Sequence, residues 1–290
     1  MQFPGPPMPF GIVKLSPDNQ RKVWRGGYEY KINQIIGFSH IHSWTMGGLL
    51  TMPVTGPLKI KPGEENEPDS GYRSRINHKN EKASLSYYSV LLDDYNIKAE
   101  LTSTTRTGFQ GYTFPKSDSS RILFDLENGS EYPYEVRWAS ISKVSDYEIE
   151  GFSTQSSYDE PTNLLNDYTV YFVARVDKPM KSFGTWVNGY VDTTSSICWG
   201  RHDIGAFMNF DTEEGEIIQL KTAISYVSIE QARKNLEVES GGFGWNFDAV
   251  RKYAVNEWRK ILSTIEIEGG TEEDKRKFYT NLNRSYCSRT

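Results

Sequence analysis

Apolar and polar residues alternate with period two over most of the chain from about Pro9 to Leu220. The runs "RILFDLEN" (121–128) and "YTVYFVARV" (168–176) show the pattern, and each predicts a strand with one face in a core. Residues 82–114 break into three short β-like runs around turn residues. The stretch "DTEEGEIIQLKTAISYVSI" (211–229) reads as an acidic hairpin turn leading into a long strand. Alternation at this regular spacing predicts a mainly β chain, a large antiparallel β-sandwich of two sheets packed face to face. The segment "KPGEENEPDSGYR" (61–73) is polar and rich in Pro and Gly, so its carboxylates read as surface charge.

The period then changes. Ser228 followed by Gln231 matches a capping box, and residues 228–240 carry a helical composition. In 241–265, after opening glycines, Phe247, Val250, Ala254, Trp258, Ile261 and Ile265 fall at helical spacing and predict an amphipathic helix. Thr271 with Asp274 starts another capped helix, whose stripe is Phe278, Leu282 and Tyr286. Nothing follows to cover that last stripe, which leads to the expectation of a further domain. The division expected is a sandwich domain over 1–240 and a helical linker over 241–290.

Composition narrows the function classes. The 290 residues carry 33 Lys and Arg against 38 Asp and Glu, a formal charge of −5, which argues against nucleic acid as the main partner. No apolar run is long enough for a membrane span. Residues 1–10, "MQFPGPPMPF", lack a charged start and an unbroken apolar core, so the chain reads as cytosolic or as lacking an export signal. Cys198 and Cys287 are too few for a zinc motif and read as free thiols. Rings make up 13% of the residues, and they suit either a sandwich core or a sugar-stacking surface.

The candidate chemistry is concentrated in "GFSHIHSWTMGGLLTMPVTGPLKI" (37–60). His40 and His42 share one face of a predicted strand and could supply two metal ligands, but the sequence shows no spacing that supplies a third. Ser39 and Ser43 flank them without a nucleophile elbow or an identifiable orienting acid. Short polar side chains, two imidazoles and a ring within six positions also suit a sugar pocket, in which Gly47 and Gly48 let backbone come close or simply form a tight turn. The acids, Glu64, Glu65 and Glu67, Asp93 and Asp94, Glu213, Glu214 and Glu216, fall in loops or runs. None sits in a pattern that implies burial and a raised pKa.

In several segments the chain resembles the N-terminal domain of glycoside hydrolase family 92, the exo-acting α-mannosidases. The match is carried by "PFGIVKLSPD" (9–18), "GYEY" (27–30), "GFSHIHSWTMGG" with "LLTMPVTG" (37–56), "TAISYVSIEQARKNLEVES" (222–240) and "FYTNLNRSY" (278–286), in the family's order. The resemblance implies a super-sandwich of the galactose-mutarotase-like kind, linker helices, and then an (α/α)₆ catalytic domain that this sequence does not include. It implies a Ca²⁺-dependent, inverting hydrolysis of α-mannosides or mannose-containing glycans, by a secreted or periplasmic protein. The catalytic carboxylates and most calcium ligands would lie on that domain, so no catalytic residue is expected here and the chain alone is expected to be inactive.

Residue by residue, the resemblance puts Phe10, His40 and His42 near the mannose pocket, with Ser39 supporting the loop. Family members often carry Thr between the histidines and small residues after them. Here Ile41, Ser43, Trp44, Thr45 and Met46 stand instead. Trp44 is thus a candidate for stacking on the leaving-group sugar, or a core ring. The rival class is a non-catalytic carbohydrate-binding β-sandwich module, marked by stacked rings on an exposed sheet face. A structural interface role through helices 245–265 and 271–287 is compatible with the enzyme reading.

Overall fold

The structure is a computed structural model that describes residues 4–21, 27–43, 46–127, 135–159 and 164–287. Among these, two large sheets face each other. The seven-stranded sheet has the spatial order Ser16–Asp18, Gly37–Ser43, Met46–Val54, Ser117–Asp125, Ile204–Thr212, Ser182–Val187 and Tyr190–Asp192. The nine-stranded sheet runs Ile197–Gly200, Glu135–Ser145, Glu148–Asp159, Leu164–Val176, Glu216–Ser225, Thr107–Phe114, Ile97–Ser103, Tyr87–Leu92 and Lys82–Ser84. All pairings within them are antiparallel. The mainly β antiparallel sandwich is therefore the fold.

The alternation does the work expected of it. Ile97, Ala99 and Leu101 are buried while Lys98 between them is exposed. Inward residues of both sheets merge into one core that includes Phe38, Met52, Tyr88, Tyr112, Phe124, Phe172, Trp186 and Phe210. Much of the aromatic content is thus packing material. The expected three runs over 82–114 are four strands, because Ser86 takes φ 62° and turns the chain inside the first run. Gly215, at φ 76°, makes the turn before the long strand Glu216–Ser225.

Three helices follow. Helix α1 (Ile229–Ser240) lies on the outer face of the larger sheet, where Ala232 and Leu236 pack against Val173 and Ala223. Ser228 caps it by accepting from Gln231 N at 3.1 Å, but the Gln231 amide turns to Asn235 instead of closing the box. Arg233 of α1 grips Glu148 and Glu150 on the sheet.

Helix α2 (Phe247–Leu262) starts later than the sequence pattern suggests. Asn246 caps it by accepting from Ala249 N at 3.0 Å, and Gly241, Gly242 and Gly244 lie in the turn before it. Its buried residues, Val250, Ala254 and Trp258, are three of the expected stripe, and Trp258 Nε1 donates to Pro7 O at 2.8 Å. Helix α3 (Glu272–Cys287) carries the full capping box, with Thr271 N donating to Asp274 Oδ2 and Asp274 N donating to Thr271 Oγ1, each at 3.1 Å. None of its residues is fully buried, and Phe278, Leu282 and Tyr286 are half-covered. Both Cys198 and Cys287 are free.

Candidate functional site

Residues from "PFGIVKLSPD", "GYEY" and "GFSHIHSW" meet at one place in the sandwich. The edge strand Ser16–Asp18 pairs with Gly37–Ser43 and carries Asp18 under it. Asp18 Oδ2 accepts from Ser39 N at 3.0 Å, and Asp18 Oδ1 lies 3.0 Å from His42 Nε2. Ser39 Oγ is 3.1 Å from that same nitrogen, and His42 Nδ1 is 2.7 Å from Lys14 O. The ring thus bridges the Lys14 carbonyl and the Asp18 carboxylate, one through each nitrogen. The next residue, Asn19, brackets the "GYEY" segment: its Nδ2 donates to Glu29 O at 2.8 Å and its Oδ1 accepts from Glu29 N at 2.9 Å. Gly27 is required there. It has φ 74°, and a Cβ on it would stand 2.1 Å from Asp18 Oδ1.

His40 is the second anchor. Its Nδ1 donates to Leu49 O at 2.9 Å, and its Nε2 accepts from Gln110 Nε2 at 3.0 Å on the facing sheet. Gln110 Oε1 in turn accepts from Tyr112 OH and lies 2.9 Å from Thr51 Oγ1. Burial pushes the imidazole down to about 4, so it is neutral. Gly108 leaves the room for this ring, since a Cβ there would meet His40 Cδ2 at 2.9 Å.

Because its folded-state value lies below the ordinary 6.5, His40 supports folding fully above pH 6.5. That support is lost as pH falls toward 4. The expected loss is about 2 kcal/mol by pH 5. Urea unfolding at pH 7.5, 6 and 5 measures it, with His40→Gln expected to flatten the slope.

The sequence-derived site residues are therefore placed as follows. Ser39, His40 and His42 are interior, at 0%, 0% and 3% exposure, and His40 has both ring nitrogens committed to protein groups. Phe10 is 49% exposed and sits at φ 56°, a conformation that a bulky residue adopts only under constraint. That constraint is visible: Phe10 N donates to Tyr286 O at 3.3 Å, and the two rings meet edge to face at 5.4 Å. The segment 278–286 thereby joins the same neighbourhood. Trp44 lies outside the described residues. The start of the strand Met46–Val54 is braced from the other sheet, where Tyr168 OH lies 3.0 Å from Gly47 N and 2.8 Å from Gly47 O.

Asp18, Gln110 and Tyr168 were not singled out in the sequence. Gln110 could have been found as a polar residue at an inward strand position. Asp18 and Tyr168 are recognisable only through their partners.

The Ser39–His42–Asp18 arrangement is not a nucleophile system. Serine and aspartate face the same ring nitrogen, and the hydroxyl is sealed from solvent. Among the described residues no three His, Cys, Asp or Glu side chains are placed to hold a metal ion.

The fold is shared with known proteins. An α-mannosidase of family GH92 from Bacteroides thetaiotaomicron, solved with mannoimidazole, superposes with a TM-score of 0.88 at 31% identity, covering 98% of this chain and 38% of that one. A second GH92 glycosyl hydrolase superposes with a TM-score of 0.81 at 27% identity, over 98% of this chain and 38% of its own. An uncharacterized secreted glycosidase from Arthroderma benhamiae is 23% identical over 316 residues, 99% of this chain and 39% of that protein. This chain thus spans well under half the length of these relatives.

Fold and motif cluster together define a glycosyl hydrolase sandwich. The glycosyl hydrolase family 92 N-terminal domain matches residues 1–225 and the family's catalytic domain matches residues 231–290, so the chain belongs to that family. The family's own division falls between 225 and 231, ahead of α1.

Proposed function

We propose that this chain is the N-terminal part of a secreted or periplasmic exo-α-mannosidase. In this reading it lines one wall of a pocket for the terminal mannose of a glycan. The observation that carries the reading is the convergence of the family segments. The Asp18–His42 pair and His40 are buried, and both histidines bond the Lys14 backbone, four residues from Phe10, which is exposed and pinned to Tyr286. Ser39, His40 and His42 act here from behind, by holding the backbone of the strand and its hairpin. Phe10 and Trp44 are the side chains offered to sugar.

The bond-breaking groups belong, in this reading, to the family's catalytic domain. Inverting hydrolysis needs a protonated carboxyl and a carboxylate facing each other about 6.5–9.5 Å apart across a sugar. The buried carboxylates among the described residues are Asp18, Asp125 and Glu148. All three have structural partners: His42 and Ser39 for Asp18, Tyr72 and Glu127 N for Asp125, and Arg175 and Arg233 for Glu148. Calcium is assigned to the catalytic domain as well.

Two assays test this. The chain alone, given an aryl α-mannoside and calcium, is expected to show no turnover; turnover at ordinary glycosidase rates defeats the division of labour. In the enzyme that carries the catalytic domain, Phe10→Ala is expected to lower kcat/KM about tenfold, the loss of one ring contact of about 1.4 kcal/mol. Unchanged kcat/KM removes Phe10 from the pocket.

A further inference from the structure

The outer face of the nine-stranded sheet carries rings that the core does not use. Trp199, on the edge strand Ile197–Gly200, is 62% exposed, and Trp138, on the neighbouring strand, is 39% exposed. Their ring centroids are 5.4 Å apart with planes inclined by 35°. The residues between them in each strand, Cys198, Ala139 and Ile141, point the other way into the core. The register continues the row: Trp199 is opposite Ser140, Ser140 opposite Phe152, and Phe152 opposite Tyr171. Phe152 and Tyr171 are half-buried, with centroids 5.9 Å apart. The adjacent row holds Thr154 and Thr169, whose hydroxyls are 2.8 Å apart.

We propose that this face is a second carbohydrate-binding surface, a platform for an uncharged oligosaccharide away from the catalytic pocket. Apolar pyranose faces lie on Trp199 and Trp138, and sugar hydroxyls reach the Thr154 and Thr169 row. Four adjacent strands span roughly 15 Å, which suits an extended glycan better than a single ring.

Charge supports an uncharged ligand. The charged side chains bordering the rings are engaged with one another, Arg137 with Asp167 at 3.4 Å and Arg233 with Glu150. The two tryptophans are left uncovered by the helices that pack on this face. Helix α2 lies on the strands Ile97–Ser103 and Thr107–Phe114, and α1 borders the Phe152–Tyr171 end of the row, packing on Val173 and holding Glu150 through Arg233, so the Trp138 and Trp199 strands lie beyond both helices. The choice of a glycan as ligand rests on the family reading above.

The experiment is affinity electrophoresis and titration of the chain with α-mannan and with linear manno-oligosaccharides, alongside Trp199→Ala, Trp199→Tyr and the Trp138→Ala/Trp199→Ala pair. The chain is expected to be retarded by mannan. Trp199→Ala should weaken binding about tenfold, Trp199→Tyr should stay within about threefold, and the double variant should lose binding. Circular dichroism and melting are expected to stay unchanged, because both rings are exposed.

Three results overturn the proposal: no retardation by mannan, retardation that survives in the double variant, or self-association in sedimentation that Trp199→Ala abolishes. Mannosidase assays of the enzyme with its catalytic domain run in parallel. Activity without platform binding sinks the platform alone, whereas binding without activity sinks the mannosidase reading and leaves the platform standing.

Discussion

Asp18→Ala is expected to destabilise the sandwich by about 2–4 kcal/mol, because it removes the buried carboxylate that faces both His42 Nε2 and Ser39 N. Asp18 is 1% exposed and His42 3%, so water cannot replace the lost oxygen. The same change removes the acceptor for Ser39 N and the group against which Gly27 packs. Urea unfolding at pH 7.5 measures the loss. The cause is separable: Asp18→Ala combined with His42→Leu should be less destabilised than the sum of the two single changes, by about 1–3 kcal/mol. Strict additivity would mean that the two residues act independently.

Trp258→Ala is the second large effect, at about 3–5 kcal/mol. The indole is fully buried between α2 and the sheet, and its N–H is the bond that fixes Pro7 O. Pro6 O is held a residue earlier by Ser103 Oγ at 2.6 Å, so the segment leading to Phe10 is tied down at two points. Losing one of them frees the approach to Phe10 as well as opening a cavity. The melting temperature is expected to fall by roughly 5–10 °C. Trp258→Phe should recover more than half of that, since it fills most of the cavity and loses only the hydrogen bond. A fall below 2 °C for the alanine variant would show that α2 is held by other contacts.

Both residues bear on how much could be read before the fold was known. Trp258 stood on a helical stripe with Val250 and Ala254, and all three are buried. Asp18 gave no local sign of its role. It ends a three-residue strand, and its partner is His42, 24 residues away. The two histidines of "GFSHIHSW" were open to a metal or sugar role, or to a structural one in which a ring donates to backbone. In the structure they point inward, because the strand that bears them is covered on one side by Gln110 and Gly108 and on the other by Lys14 and Asp18. The exposed chemistry passed to Phe10, whose positive φ and contact with Tyr286 join residues 276 positions apart in the chain, an arrangement that no local pattern encodes.

The sequence by itself determined the sheets, the three helices and their caps, and the order of the family segments. These depend on period, propensity and turn chemistry, which act over a few residues. Only the tertiary structure decided which polar residues became interior supports and which rings stayed on the surface. Those outcomes are set by partners that the register of distant strands brings within about 3 Å, and hydrogen bonding at that range has no counterpart in local sequence.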